Sequence, residues 1–205
     1  MKTILTALAK AGVDNGIQAA KGFLSKLAGP AVEEIGLLLQ DRVKLYRLKN
    51  QLRILGKAQE MLKTARVKPS AVPLRTLLPL LEGAALEEDE SLSLKWAALL
   101  ANAASGASDI ANHPSFPHIL AEISPSEALL LDSLAAERKE VDWEAFREKI
   151  VRETSTTHEY INQCYGNLFR LGLCRIAQKR GRTRSVIEIG PFGQSFLRAC
   201  AHTQR

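Results

Sequence analysis

The densest chemistry in this chain lies between residues 170 and 184. Arg170, Arg175, Lys179, Arg180, Arg182 and Arg184 fall in that stretch, and no acid interrupts them. Guanidinium and ammonium groups at such density hold phosphates or carboxylates through charge-assisted hydrogen bonds. Gly181 sits among four of these cations, where a tight turn needs a residue free to adopt positive φ. A second set, Arg42, Lys44, Arg47, Lys49, Arg53 and Lys57, recurs at short intervals, and nine Lys or Arg between Arg42 and Lys68 face the single acid Glu60. Both sets predict an anion-binding surface. For the second set, a solvated helix face is the other reading, and the acids Glu87-Glu88-Asp89-Glu90 could pair with it from within the chain.

Other reactive residues lack the spacing that chemistry requires. His113 and His118 flank Pro-Ser-Phe-Pro without a third ligand, so no metal site is expected. Contiguous acids on a helix point in different directions, which makes residues 87–90 capping groups rather than a cation cage. Cys164, Cys174 and Cys200 lie on apolar faces with no activating His or cation arrangement, so they read as core residues. No GxxxxGK[ST] loop and no GxSxG elbow occurs. The expectation is a protein that is not an enzyme and carries no cofactor.

The 205 residues can bury a proper core in one or two domains. Hydrophobic residues make up 46% and aromatic ones only 5%, so the core must be built from Leu, Ile, Val and Ala, which suits helix packing. The net charge of +6 admits nucleic acid or an anionic membrane surface as partner. An odd cysteine count without CxxC argues against a disulfide framework and fits a reducing cytoplasm. No segment approaches the roughly 18 apolar residues needed to span a bilayer, and Lys10, Asp14, Gln18, Lys21 and Lys26 break the apolar run of the N-terminal region, so a secretory signal is not expected.

The elements that must position these residues are mostly helical. Residues 1–29 read as a glycine-interrupted helix, either mobile and docked on the rest or lying on a membrane with Phe23 and Leu24 among lipids. Residues 31–66 predict one long basic helix whose seam is Leu38, Leu45, Leu48, Leu52, Leu55 and Leu62. That seam (residues 38–62) fits a partner helix in cis, another protein or a homodimer. Pro69, Pro73 and Pro79 predict a break before helix resumes. Leu92 to Ala104 is apolar almost all round, hence a buried helix, and residues 105–117 form a loop. Ser124-Pro125-Ser126-Glu127 is a capping box that starts a helix and sets a domain boundary.

Beyond it, three helices are expected. The first has Leu129, Leu130, Leu131 and Leu134 as core, the second starts after Asp142, and the third is capped near Ser155–Thr157. A β-hairpin and a last helix (193–202) follow. The fold class is thus mainly α: a helical N-terminal part with a long basic helix (30–124) and a C-terminal winged-helix domain with a small β-hairpin (125–205). In such a module the third helix enters a major groove. Here its outward residues, His158, Glu159, Asn162, Gln163, Asn167 and Arg170, include a single Arg, so the hairpin is the stronger phosphate binder.

Several stretches carry a family resemblance. They are Leu27-Ala-Gly-Pro-Ala-Val-Glu-Glu-Ile-Gly36, Tyr46-Arg-Leu-Lys-Asn50, Pro79-Leu-Leu-Glu-Gly83, Glu87-Glu-Asp-Glu90, Trp96-Ala-Ala-Leu-Leu-Ala-Asn-Ala, His113-Pro-Ser-Phe116 and Gly193-Gln-Ser-Phe-Leu-Arg-Ala-Cys200. Together they resemble the Abi-alpha (abortive infection alpha) family over about residues 27–200. The resemblance implies bacterial phage defence by abortive infection and offers no catalytic residues to carry over. Asn102, near Trp96, is expected to fix the 105–117 loop by a hydrogen bond. The resulting expectation is a non-enzymatic cytoplasmic defence protein that binds an anionic partner, nucleic acid among them, through its basic wing. The alternatives are a membrane-active effector using the N-terminal helix, peripherally membrane-associated, and a DNA-binding transcriptional regulator.

Overall fold

The computed structural model describes residues 22–23, 25–27, 45–106, 109–137, 141–177 and 186–201. They form a mainly α-helical protein with one small antiparallel sheet. The chain divides into two compact units, residues 1–120 with 199–205, and residues 121–198. The sequence reading placed its boundary at residues 124/125.

In the first unit, helix α1 (Leu45–Thr64) packs on α2 (Leu74–Leu86) and α3 (Glu90–Ser105). The part of the predicted long helix before residue 45 lies outside the described residues. The α1 face turned inward is Ile54, Leu55, Ala58 and Leu62, while Leu48 and Leu52 of the expected seam are only half-buried. The inner face is therefore rotated slightly from the leucine line, and its partners within this unit are α2 and α3. Asn50, buried on the same helix, donates through Nδ2 to the Ala85 carbonyl at 3.3 Å.

The break expected at the prolines falls at Pro69 and Pro73, between α1 and α2, and α2 corrects it at Pro79 alone. This helix begins directly after Pro73 and runs through Pro79. An interior proline removes one helix hydrogen bond and costs about 3 kcal/mol. Burial of Leu77, Leu80, Leu81, Ala84 and Ala85 outweighs that cost, at about 1.5–3 kcal/mol for each leucine. Gly83 lets α2 approach α3 closely. A Cβ there would drive into the Trp96 ring, meeting Cζ2 at 2.7 Å. Trp96 is fully buried and donates through Nε1 to Glu87 Oε2 at 3.2 Å.

Helix α3 is buried nearly all round, as its composition predicts. A 3-10 turn (Asp109–Asn112) follows, tied to α2 by the Thr76 hydroxyl, which donates to the Asn112 carbonyl at 2.9 Å. Asn102 has a partner that its sequence neighbours do not reveal. Its Nδ2 donates to the carbonyls of Ala199 and Ala201, at 2.8 and 2.9 Å, so it clamps the returning segment of its own unit. The 105–117 loop is held by Thr76 and by the bond from the His113 region into α4 (Ser115–Glu122), where Ser115 N donates to His113 Nδ1 at 3.3 Å.

The second unit follows the order α5 (Pro125–Ala136), β1 (Val141–Asp142), α6 (Trp143–Thr154), α7 (His158–Arg170), β2 (Cys174–Ala177), β3 (Val186–Ile189), then α8 (Pro191–Ala199). Each long helix begins where its cap was read. Ser124 and Glu127 complete the capping box, Asp142 accepts from Ala145 N, and Thr157 accepts from Tyr160 N. The sheet order is β1-β3-β2, with Cys174 opposite Ile189 and Val141 opposite Ile187. Strand β1 is two residues long and has no pattern of its own to read. Leu130, Leu131, Leu134, Phe146, Ile161 and Leu168 build the core. Leu129, expected among them, is 50% exposed, because three consecutive helical residues cannot share one face.

Two helices end alike. After α7, Gly172 takes the left-handed conformation (φ 72), its N–H bonds to Phe169 O, and Leu173 N bonds to Leu168 O. After α1, Arg66 (φ 56) bonds through its N–H to Lys63 O, and Val67 N bonds to Leu62 O. Both are Schellman endings, but the second places an arginine where glycine is at ease.

Candidate anion-binding site

Of the six cations predicted on the C-terminal module, Arg170 lies on α7 and Arg175 on β2. Lys179, Arg180, Arg182 and Arg184 fall in 178–185, outside the described residues. Arg170 closes α7 in its last turn, where a cation complements the helix dipole. Its Nη2 reaches Glu122 Oε2 at 2.6 Å and Asn167 Oδ1 at 2.8 Å. Asn167 in turn donates to Glu127 Oε1 at 2.8 Å, and Glu127 is the buried carboxylate of the capping box. Arg170 thus ends a chain of polar contacts linking α7 to the start of α5.

Arg175 stands opposite Glu188 in the hairpin register, and its Nε donates to Glu188 Oε1 at 2.5 Å. Both partners are partly exposed, so the pair contributes at most about 1 kcal/mol and is open to competition from a stronger anion.

The outward face of α7 carries little positive charge. Glu159, Asn162 and Gln163 are exposed, Asn162 accepts from Arg147 at 3.2 Å, and His158 meets Glu148 at 2.7 Å. An apolar strip runs beside them. Phe169 is 52% exposed and Tyr165 lies between it and Trp143, with ring centroids 6.4 and 4.6 Å away.

Two cations of the basic helix are engaged within the unit. Arg53 bonds to Glu90, the Glu87 carbonyl and the Ser93 hydroxyl, and Lys57 pairs with the other oxygen of Glu90. Glu90, the first residue of α3, therefore serves as internal counter-ion, and Asp89 caps the helix. Hydrogen bonding holds both carboxyls below their usual range: the Ser91 hydroxyl acts on Asp89 and the Lys57 ammonium on Glu90. Arg47 and Lys49 are exposed, while Arg42 and Lys44 lie outside the described residues.

The three thiols are free and buried. Burial raises Cys164 and pushes Cys174 up to about 12, which leaves neither as a thiolate nucleophile at neutral pH. In the N-terminal region, Phe23 is 3% exposed and Leu27 is fully buried. Phe23, which the membrane reading placed among lipids, belongs to the protein interior. Among the described residues no helix is long and apolar enough to cross a membrane.

A family model described as abortive infection alpha matches residues 49–200. The chain belongs to the abortive infection alpha family. Membership ties the protein to phage defence of the abortive-infection type. No curated protein and no solved structure matches the chain. The abortive infection alpha match begins at Lys49, so it takes in Arg53, Lys57 and every hairpin cation and leaves Arg42, Lys44 and Arg47 before it. Sequence reasoning missed the carboxylates that meet Arg170 and Arg175. Glu188, at hairpin spacing from Arg175, gave a usable signal, whereas Glu122 lies 48 residues from Arg170 and gave none.

Proposed function

We propose that this abortive infection alpha protein is a cytoplasmic, non-enzymatic defence effector that works by binding, and that its second unit is a winged helix whose wing grips the phosphates of nucleic acid. One observation carries the reading: three helices interleaved with a sheet of order β1-β3-β2, in which the β2–β3 connection contains Lys179, Arg180, Arg182 and Arg184. The third helix, α7, offers amides and an acid rather than cations, and Arg170 is held by Glu122. Affinity is therefore assigned to the wing. Buried thiols with depressed reactivity fit a role without covalent chemistry and a reducing compartment.

The test is binding of the full chain to a short DNA duplex across a salt series. Log K should fall linearly with log salt, by about 0.9 per phosphate neutralised. Replacing the four wing cations with Gln should flatten that line. Glu188→Gln, which releases Arg175, should tighten binding and steepen the slope by about one phosphate contact. In a bacterial host, protection from phage at low but not high phage-to-cell ratio should vanish with the same quadruple variant. Salt-insensitive binding, or a wing variant that binds and protects as before, would remove the wing from the mechanism.

A further inference from the structure

The cations that the sequence singled out in the described residues mostly have carboxylates of their own: Arg53 and Lys57 with Glu90, Arg170 with Glu122, Arg175 with Glu188. Another group does not. Lys63, Arg66, Lys68 and Arg75 are all exposed, and no acid occurs between Glu60 and Glu82. Among the described residues none of the four meets a carboxylate at ion-pair distance.

The fold gathers these side chains at one end of the first unit. Lys63 and Arg66 sit at the C-terminal end of α1, Lys68 on the connection, and Arg75 in the first turn of α2. That connection is pinned from beneath. Ser70 bonds through N and Oγ to the Ala104 carbonyl, at 2.7 and 2.8 Å, and Val72 N donates to Leu27 O at 2.9 Å. The second bond sets exposed Lys26, the neighbour of Leu27, beside the same segment.

A cation in the last turn of a helix has an ordinary explanation in the helix dipole, and Lys63 fits it. Arg66 does not. It lies past the last turn, in a left-handed conformation that glycine adopts without strain, and the equivalent ending of α7 uses glycine. A strained, exposed arginine among unpaired cations marks a position where charge matters more than conformational ease.

We propose that this end of the first unit is a docking surface for an anionic lipid bilayer. Two features favour lipid headgroups over nucleic acid. Exposed Ala71, Pro73 and Leu74 (36% exposed) are interleaved with Lys68 and Arg75, so small apolar groups can enter the headgroup layer beside the cations. Residues 61–81 contain no aromatic ring on which a base could stack. Each cation close to an anionic leaflet raises association about fivefold.

The test is co-sedimentation of the full chain with vesicles of phosphatidylglycerol and phosphatidylethanolamine, against phosphatidylcholine vesicles, at low and moderate salt. Binding to the anionic vesicles alone, weakened by salt, is expected. Replacement of Lys63, Arg66, Lys68 and Arg75 by Gln should lower it on the order of several hundredfold, while Gln at the four wing cations leaves it unchanged. Arg66→Gly relieves backbone strain, so a variant shown by denaturant titration to be as stable as the parent should still weaken binding about fivefold. Equal binding to neutral vesicles, or full binding by the quadruple variant, overturns the proposal. So does a quadruple variant that loses duplex DNA affinity in a protein that ignores vesicles, which would assign the surface to nucleic acid.

Discussion

Arg66 and Gly172 hold the same position in two copies of one helix ending, and only the side chain differs. An L-residue in the left-handed region costs about 1 kcal/mol relative to glycine. Arg66→Gly should therefore raise unfolding free energy by about 0.5–1 kcal/mol in denaturant titration, with an unchanged m-value. A loss of stability would mean that the Arg66 side chain makes a folded-state contact. What could be read at this scale was local. Ser124, Asp142 and Thr157 cap helices because the N–H groups they satisfy lie within three residues, so type and spacing suffice. Asn102 could not be read: its carbonyl partners lie 97 and 99 residues away, and nothing adjacent encodes them. Arg170 was legible as a cation but not as a paired one, for the same reason.

At the scale of elements, the start of α3 concentrates the electrostatics of the first unit. Asp89 caps the helix and Glu90 pairs with Lys57 and Arg53 on α1, and both carboxyls are held below their ordinary values of 3.8 and 4.5. A carboxyl with a depressed folded pKa contributes stability that is complete above its unfolded value and is lost as pH falls through the folded one. Melting temperature should accordingly hold steady above about pH 5 and drop as pH falls below 4. The double variant Asp89→Asn, Glu90→Gln should flatten that acid limb, and an unchanged limb would place the titrating groups elsewhere. The same region explains how helix reading both succeeded and failed. Apolar periodicity located α1 and α3, but Pro79 suggested an interruption that the buried leucines of α2 override. Three consecutive candidates, Leu129, Leu130 and Leu131, could not tell which leucine faces out, and Leu129 does. The basic set on α1 was visible as charge, while the pairing of Arg53 and Lys57 with Glu90 depended on how α1 packs against α3.

At the scale of the whole molecule, the thiols report on the two units separately. Cys164 and Cys174 lie in the second unit and Cys200 in the first, all buried. A thiol reagent at pH 8 should label the native protein on the order of a hundredfold more slowly than the urea-unfolded chain, because reaction waits for local opening. If the units open independently, Cys164 and Cys174 should appear together and Cys200 at its own rate in mass-resolved labelling. One common rate would mean a single cooperative transition. The capping box at Ser124 was legible as a helix start, but the membership of residues 199–201 in the first unit was not, since it rests on the Asn102 clamp.

That clamp has a consequence for biosynthesis. The carbonyls that Asn102 holds belong to Ala199 and Ala201, so the ribosome makes them only after every residue of the second unit. Helices α1 to α3 can associate early, yet the half-buried Asn102 amide must wait for its acceptors while nearly a hundred more residues emerge. The inserted unit, complete in its own stretch of chain, is free to fold first. The first unit, though it begins earlier, is finished last.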